Sequence, residues 1–284
     1  MLVFVTSRLD EMPAELLELF GGEGARTLGV PLPAGRTVRG DEGAGERPVL
    51  WVSDDPAPAG LWTRLHAAHP QSGLWPLLLD GLDGDAARPW DTGEFWPMPA
   101  PPAPHDAERL LAGGWARYTG TDDDDMLEPA QREAVTAPYG RVWPGLAPTV
   151  PTRVAAPQHA DHWAEQLSQA QPGMRLGLVP ARRGSDALAA IGWQGAINYT
   201  GPAELCAVLG SWEERFGARV IGVGFAELYL SVAAPPADVA EALPVAAEHF
   251  ALCPDNIWQG QRPCTLAAYA DRLVDAPTWA FWWD

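Results

Sequence analysis

The chain has 284 residues and a formal net charge of −18, from 19 basic and 37 acidic residues, every basic one an arginine. That length buries a core without disulfides or metals, and 47% apolar with 20% charged residues argues against a disordered chain. A pI near 4.6 argues against sequence-independent binding to nucleic acid or to an anionic membrane, both of which need a basic surface.

The apolar run 2–5 predicts a buried strand. Pro13 then opens a helix carrying Leu16, Leu17, Leu19 and Phe20, and Gly21 and Gly22 stop it. A second strand is predicted over 49–52, ended by Ser53, Asp54, Asp55 and Pro56. Leu61, Trp62, Leu65 and Ala68 form a helix ridge, and the run Leu74–Leu79 reads as a strand between Gly73 and Gly81. Strand and helix alternate, so residues 1–96 are expected to form a small N-terminal α/β layer.

The proline-rich stretch 97–104 can be neither a helix interior nor a central strand and predicts an extended linker. A short helix over 106–115, the acidic tract Asp122, Asp123, Asp124, Asp125 and the Pro/Gly-rich segment 138–151 follow. Residues 97–151 therefore read as a linker with one short helix, and 152–284 as a C-terminal α+β domain with a mixed sheet and packed helices.

In that second part, 176–179 predicts a strand, and Ser185 with Asp186 can cap a helix through Leu188 and Ile191. Gly201 and Pro202 start another, with Glu204 in its first turn. Leu205, Val208, Leu209, Trp212 and Phe216 share its apolar face, and Gly217 closes it. Runs 220–223 and 228–232 predict a hairpin. Asp238 and Glu241 make a capping box for a helix towards Phe250, in which Pro244 predicts a kink or a later start. Thr265 caps a last helix through Leu266, Tyr269 and Leu273. The alternating aromatics Trp279, Phe281 and Trp283 suit a terminal strand, with Trp282 on its other face.

Several tryptophan-containing strings occur in an ordered series. Gly192-Trp193-Gln194-Gly195-Ala196-Ile197-Asn198 precedes Leu209-Gly210-Ser211-Trp212-Glu213-Glu214-Arg215-Phe216-Gly217-Ala218. Cys253-Pro254-Asp255, Gln259-Gly260 and the closing residues Trp279 to Asp284 come after. Together they resemble a bacterial family, the domain of unknown function 4253. Upstream, Tyr139-Gly140-Arg141-Val142-Trp143-Pro144-Gly145-Leu146-Ala147-Pro148 and the run 176–183 look like actinobacterial members of that family. The resemblance implies a C-terminal α+β module with an N-terminal extension, and it carries over no catalytic residues.

The chemistry-bearing residues each have a plain structural reading beside a functional one. Trp193, Trp212, Trp258, Trp279, Trp282 and Trp283 could line an aromatic pocket. Core packing is favoured for those on the helix ridge and on one strand face, with Trp282 the exposed outlier and Trp258 evenly balanced. Asp255, Asn256 and Gln259 lie near Cys253 and Cys264 and form the most polar spot in an apolar region. A cysteine nucleophile would need an adjacent base and a depressed pKa; His249 is nearest in sequence, and a structural turn is favoured. The two cysteines lack the C-x-x-C spacing of a zinc site. His159, His162 and Glu165 could share a helix face and hold a metal, although an ordinary solvated helix is preferred. The acidic tract lacks the glycine and distal glutamate of a calcium loop. Phosphate-cradling loops and the motifs G-x-S-x-G and H-E-x-x-H are missing as well.

These readings assign no catalytic residue, no metal and no cofactor. The absence of a signal peptide, of an 18-residue apolar span and of a disulfide framework predicts a cytoplasmic protein. The favoured function is a non-enzymatic interaction or regulatory protein, of the immunity type, that engages a basic protein partner. The alternative is a small-ligand-binding protein or enzyme with a cleft around Trp193, Asn198, Asp255 and Gln259. Trp258 and Trp282 are further binding candidates.

Overall fold

A computed structural model describes residues 12–21, 26–40, 48–97, 106–120 and 129–284. The predicted strand 2–5, the acidic tract and nearly all of the proline-rich stretch lie outside the described residues. The elements, in chain order, are α1 (Ala14–Glu18), β1 (Gly35–Arg39), β2 (Pro48–Pro56), α2 (Leu61–Ser72), β3 (Leu74–Leu79), α3 (Ala107–Gly120), α4 (Pro129–Thr136), α5 (Ala156–Ala170), β4 (Arg175–Pro180), α6 (Gly184–Ile191), α7 (Pro202–Phe216), β5 (Ala218–Val223), β6 (Glu227–Val232), α8 (Val239–Leu252), α9 (Asp255–Trp258), α10 (Leu266–Leu273) and β7 (Thr278–Trp282).

The seven strands form one mixed sheet in the order β1-β2-β4-β3-β5-β6-β7, and the pairing of β3 with β5 is its parallel one. β4 lies between β2 and β3, antiparallel to both. Strands from the two sides of the expected 97–151 boundary therefore build a single sheet, and among the described residues the N-terminal layer has no sheet of its own. Alternation along each strand sends side chains to two cores. Leu74, Leu78, Leu176, Leu178 and Ile221 face α2 and α5, whereas Leu77, Leu79, Val179, Leu228 and Leu230 face the side where α6, α7 and α8 pack. β3 is buried throughout because helices cover both faces of this central strand.

Pro76 sits within that central strand, where a missing N–H removes a ladder bond. Pairing with β5 starts only at Leu78, opposite Gly222. Val220 O, two residues before Gly222, instead accepts from the indole N–H of Trp75 at 3.0 Å. The neighbouring side chain thus supplies the donor that proline cannot.

Several local signals act as the sequence predicts. The carboxylate of Glu204 accepts from Gly201 N at 2.8 Å at the start of α7, and Gly217 ends that helix at φ 61°. Asp238 accepts from Glu241 N, and Thr265 from Ala268 N, at the starts of α8 and α10. Pro244 lies inside α8, which neither stops nor starts later there. Ser185 and Asp186 do not cap α6: the position before the helix is Arg183, no side chain caps it, and Ser185 Oγ is buried without a hydrogen-bond partner.

The stretch expected to be linker packs tightly where it is described. α3 runs five residues past its predicted end, because Trp115 and Thr119 turn into the core against α7 and α8. Further on, an ion pair between the fully buried Glu248 and the mostly buried Arg215 grips the backbone N–H and C=O of Ala147. Arg215 Nη1 and Nη2 bind Glu248 Oε1 and Oε2 at 2.8 and 2.6 Å. Glu248 Oε1 accepts from Ala147 N at 2.6 Å, and Arg215 Nη1 donates to Ala147 O at 2.8 Å. Trp212 Nε1 donates to Glu248 Oε2 at 2.7 Å. Among the described residues no helix is long and apolar enough to cross a membrane.

Candidate functional site

Two places hold the side chains that chemistry could use: the turn at 253–259 and a groove beside α3. The turn lies along the outer edge of β7, the last strand of the sheet. That edge carries backbone groups which would otherwise be open to another strand. Asn256 supplies a substitute for one: its Nδ2 donates to Ala280 O at 2.8 Å, and its Oδ1 accepts from Trp282 N at 3.2 Å. Cys253 Sγ donates to Trp282 O at 2.9 Å, and Asp255 Oδ2 accepts from Asp284 N at 3.2 Å. Four successive polar groups of the strand edge are thus taken by three side chains of one turn.

The remaining candidates gather around the same strand end. Gln259 Nε2 reaches Asp255 Oδ1 at 3.2 Å and Asp284 Oδ2 at 3.4 Å, and Asn198 Nδ2 donates to Asp284 O at 3.5 Å. Asp255 is buried, whereas Asn198 and Gln259 are exposed. Trp193 stands apart in the core. Its indole N–H donates to Gly224 O at 2.9 Å, and its ring meets Trp283 edge to face at 5.8 Å. Trp212 stacks on Phe281 and meets Trp279 edge to face. Trp258 is half-buried and packs edge to face on Tyr118 and Phe250. Trp282 is 39% exposed and, with Ala280, points outward from β7.

The reactive-looking groups of this turn are electrostatically quiet. Burial pushes the Cys253 thiol up to about 12 and the His249 imidazole down to about 3, so both are neutral near pH 7. His249 Nδ1 lies 3.0 Å from Tyr269 Oη, which accepts from Asn256 Nδ2 at 3.1 Å. The ring is walled by Trp212, Trp279 and Phe281. No hydrogen bond joins it to Cys253. A thiol with a raised pKa and a base with a lowered one are the reverse of an activated nucleophile pair.

His159, His162 and Glu165 share α5 but turn to different neighbours. His159 Nε2 approaches Pro277 O at 3.2 Å, His162 packs on Trp163, and Glu165 Oε2 accepts from Gly60 N at 3.0 Å. Among the described residues no three His, Cys, Asp or Glu side chains gather in a way that could hold a metal ion.

The groove runs between α3 and the segment 197–204, which leads into α7, and encloses about 440 Å³. Arg109, Gly113, Arg117 and Tyr118 form one wall; Asn198, Tyr199, Thr200 and Glu204 form the other, with Ala251 and Leu252 of α8 between them. Arg117 Nη1 donates to Tyr199 O at 3.1 Å, which ties the two walls. Burial, with the Asp255 carboxylate behind it, raises the Tyr199 phenol above its ordinary pKa, and burial does the same for Tyr118. Of the four residues expected to share a cleft, only Asn198 lines this one. Reading the sequence missed α3 as a wall, although the paired Gly113 and Gly114 inside a helical pattern were a visible signal.

The comparisons with known proteins add a family to this geometry. Residues 175–284 match the model of the domain of unknown function DUF4253. That part of the chain is a DUF4253 domain. No curated protein matches the chain, and no solved structure does. The DUF4253 domain comprises β4 to β7 and α6 to α10, and it contains the whole 253–259 turn. Three of its neighbours lie outside the match: β2 and β3, which flank β4, and α3, which closes the groove against the domain's own segment 197–204.

Proposed function

We propose that the chain acts by non-covalent binding, and that its site is the groove between α3 and the DUF4253 domain. The observation that carries this reading is the groove itself: about 440 Å³ lined by convergent polar and aromatic side chains, which lies in the size range of small-molecule sites. Supporting it, the side chains that could have suggested covalent chemistry, Cys253, His249 and Asp255, are committed to the edge of β7 and to the core. Mapping a library of small fragments onto the chain by amide chemical shifts tests the site without assuming a ligand. The expected result is a set of shifted amides confined to 109–118 and 197–204. Fragments that perturb only other regions, or none that bind, would contradict it.

A second reading rests on the charge of −18, which can steer a basic protein partner. Such a partner would be retained from a cell extract by the immobilised chain at low salt and released as salt rises; retention that does not change with salt would oppose it.

A further inference from the structure

Helix interiors avoid glycine, which costs about 1 kcal/mol relative to alanine, yet α3 has two in succession. Gly114 has a packing reason: a Cβ there would lie 2.1 Å from Ala251 O, so the close approach of α3 to α8 requires its absence. Gly113 has none among the described residues, where a Cβ at that position would meet nothing within 4 Å. It faces the groove, and Arg109 and Arg117 stand one helical turn to either side, at i−4 and i+4, about 12 Å apart along the axis. Alanine would stabilise the helix here, and any side chain would narrow the space between the two guanidinium groups.

Charge in the groove runs against that of the molecule. The chain carries an excess of 18 negative charges, whereas the described residues of the groove walls include two arginines, the positive end of the α7 dipole and one carboxylate. That carboxylate, Glu204, is turned back to Gly201 N at 2.8 Å. Arg117 is held by Tyr199 O, so its planar fork is positioned before any ligand arrives. Tyr118 and Tyr199 present ring surfaces to the same space, with centroids 6.3 Å apart.

We propose that this groove binds a small organic anion carrying a planar ring, its charged group held by Arg109 and Arg117 across Gly113 and its ring laid against Tyr118 and Tyr199. The proposal rests on the binding reading above and names the class of ligand. A phosphate or a carboxylate supplies the same chemistry, because both accept a bidentate arginine.

Calorimetric titration with adenosine monophosphate, benzene-1,3-dicarboxylate and neutral adenosine separates the possibilities. At least one of the two anions should bind, and adenosine should bind at least about tenfold more weakly than adenosine monophosphate if the phosphate is the group recognised. Arg109→Ala and Arg117→Ala should each weaken the anion roughly ten- to a hundredfold. Gly113→Leu should remove binding without lowering the melting temperature, which separates a blocked groove from a misfolded chain. Failure of both anions at millimolar concentration, or binding that survives Gly113→Leu, would overturn the proposal. Neutral fragments that map to the groove while both anions fail would remove the anion assignment and leave the binding reading standing.

Discussion

The 253–259 turn and the α3 groove meet where Trp258 of the turn packs on Tyr118 of the groove wall, and they treat polar groups in opposite ways. The turn is rich in side chains that look reactive, and its hydrogen bonds close on the chain itself: Asn256, Cys253 and Asp255 pair with the β7 edge, and Gln259 with Asp255. The groove has little that resembles a motif, yet it is lined by a helix glycine whose Cβ would meet no described atom within 4 Å. Reactive residue types therefore mark structure in the first region, and a residue with no side chain marks the candidate site in the second.

The comparison can be broken first at its closed side. Glu248→Ala removes the carboxylate from beside Arg215 and strands the Ala147 N–H and the Trp212 indole N–H, so it should destabilise the fold by about 3–5 kcal/mol in a denaturant titration. A loss under about 1 kcal/mol would mean that the Ala147 segment is not gripped as described. Asn256→Ala leaves Trp282 N and Ala280 O without partners and should cost about 1–3 kcal/mol. It should also open the β7 edge, so light scattering should show concentration-dependent self-association that the parent chain lacks.

The buried imidazole gives the closed region a pH signature. His249 is neutral in the fold down to about pH 3, whereas in the unfolded chain it takes up a proton near its ordinary 6.5. Its folded pKa is depressed, so the unfolded state binds more protons between these values. Stability should be fully present above about pH 6.5 and fall by about 1.4 kcal/mol per pH unit below it. His66, also held below its ordinary value by burial, acts in the same direction. His249→Phe should flatten most of that slope, and an unchanged slope would place the titrating group elsewhere. At the groove the sign reverses: Gly113→Ala should raise stability by about 1 kcal/mol, because only helix propensity changes there.

Much of the fold is legible from local signals because those signals act locally. The hairpin of β5 and β6, the aromatic alternation of β7 and the start of α7 follow from residues a few positions apart. The place of β4 between β2 and β3 does not, since the contacts that decide it join residues about a hundred positions apart. β1 escaped because Gly35–Arg39 has one buried residue, Val38, and reads as surface. Proline and glycine between 138 and 151 suggest linker, and the contacts that hold that stretch, the Arg215–Glu248 pair of α7 and α8 and the Trp115 ring of α3, come from distant parts of the chain. At the candidate site, Asn198 was visible as an asparagine within a rare string. Arg109 and Arg117 were not, because isolated arginines on a helix are ordinary surface until a second wall faces them.

The contrast is tested most directly by measuring affinity and stability together in Gly113→Leu and Cys253→Ser, titrated with the anion that binds the parent chain. The expected result is a crossed pattern. Gly113→Leu loses the ligand at least about tenfold while its melting temperature holds, and Cys253→Ser keeps the ligand while its melting temperature falls. Loss of the ligand in Cys253→Ser with binding intact in Gly113→Leu would contradict the account and return the site to the turn.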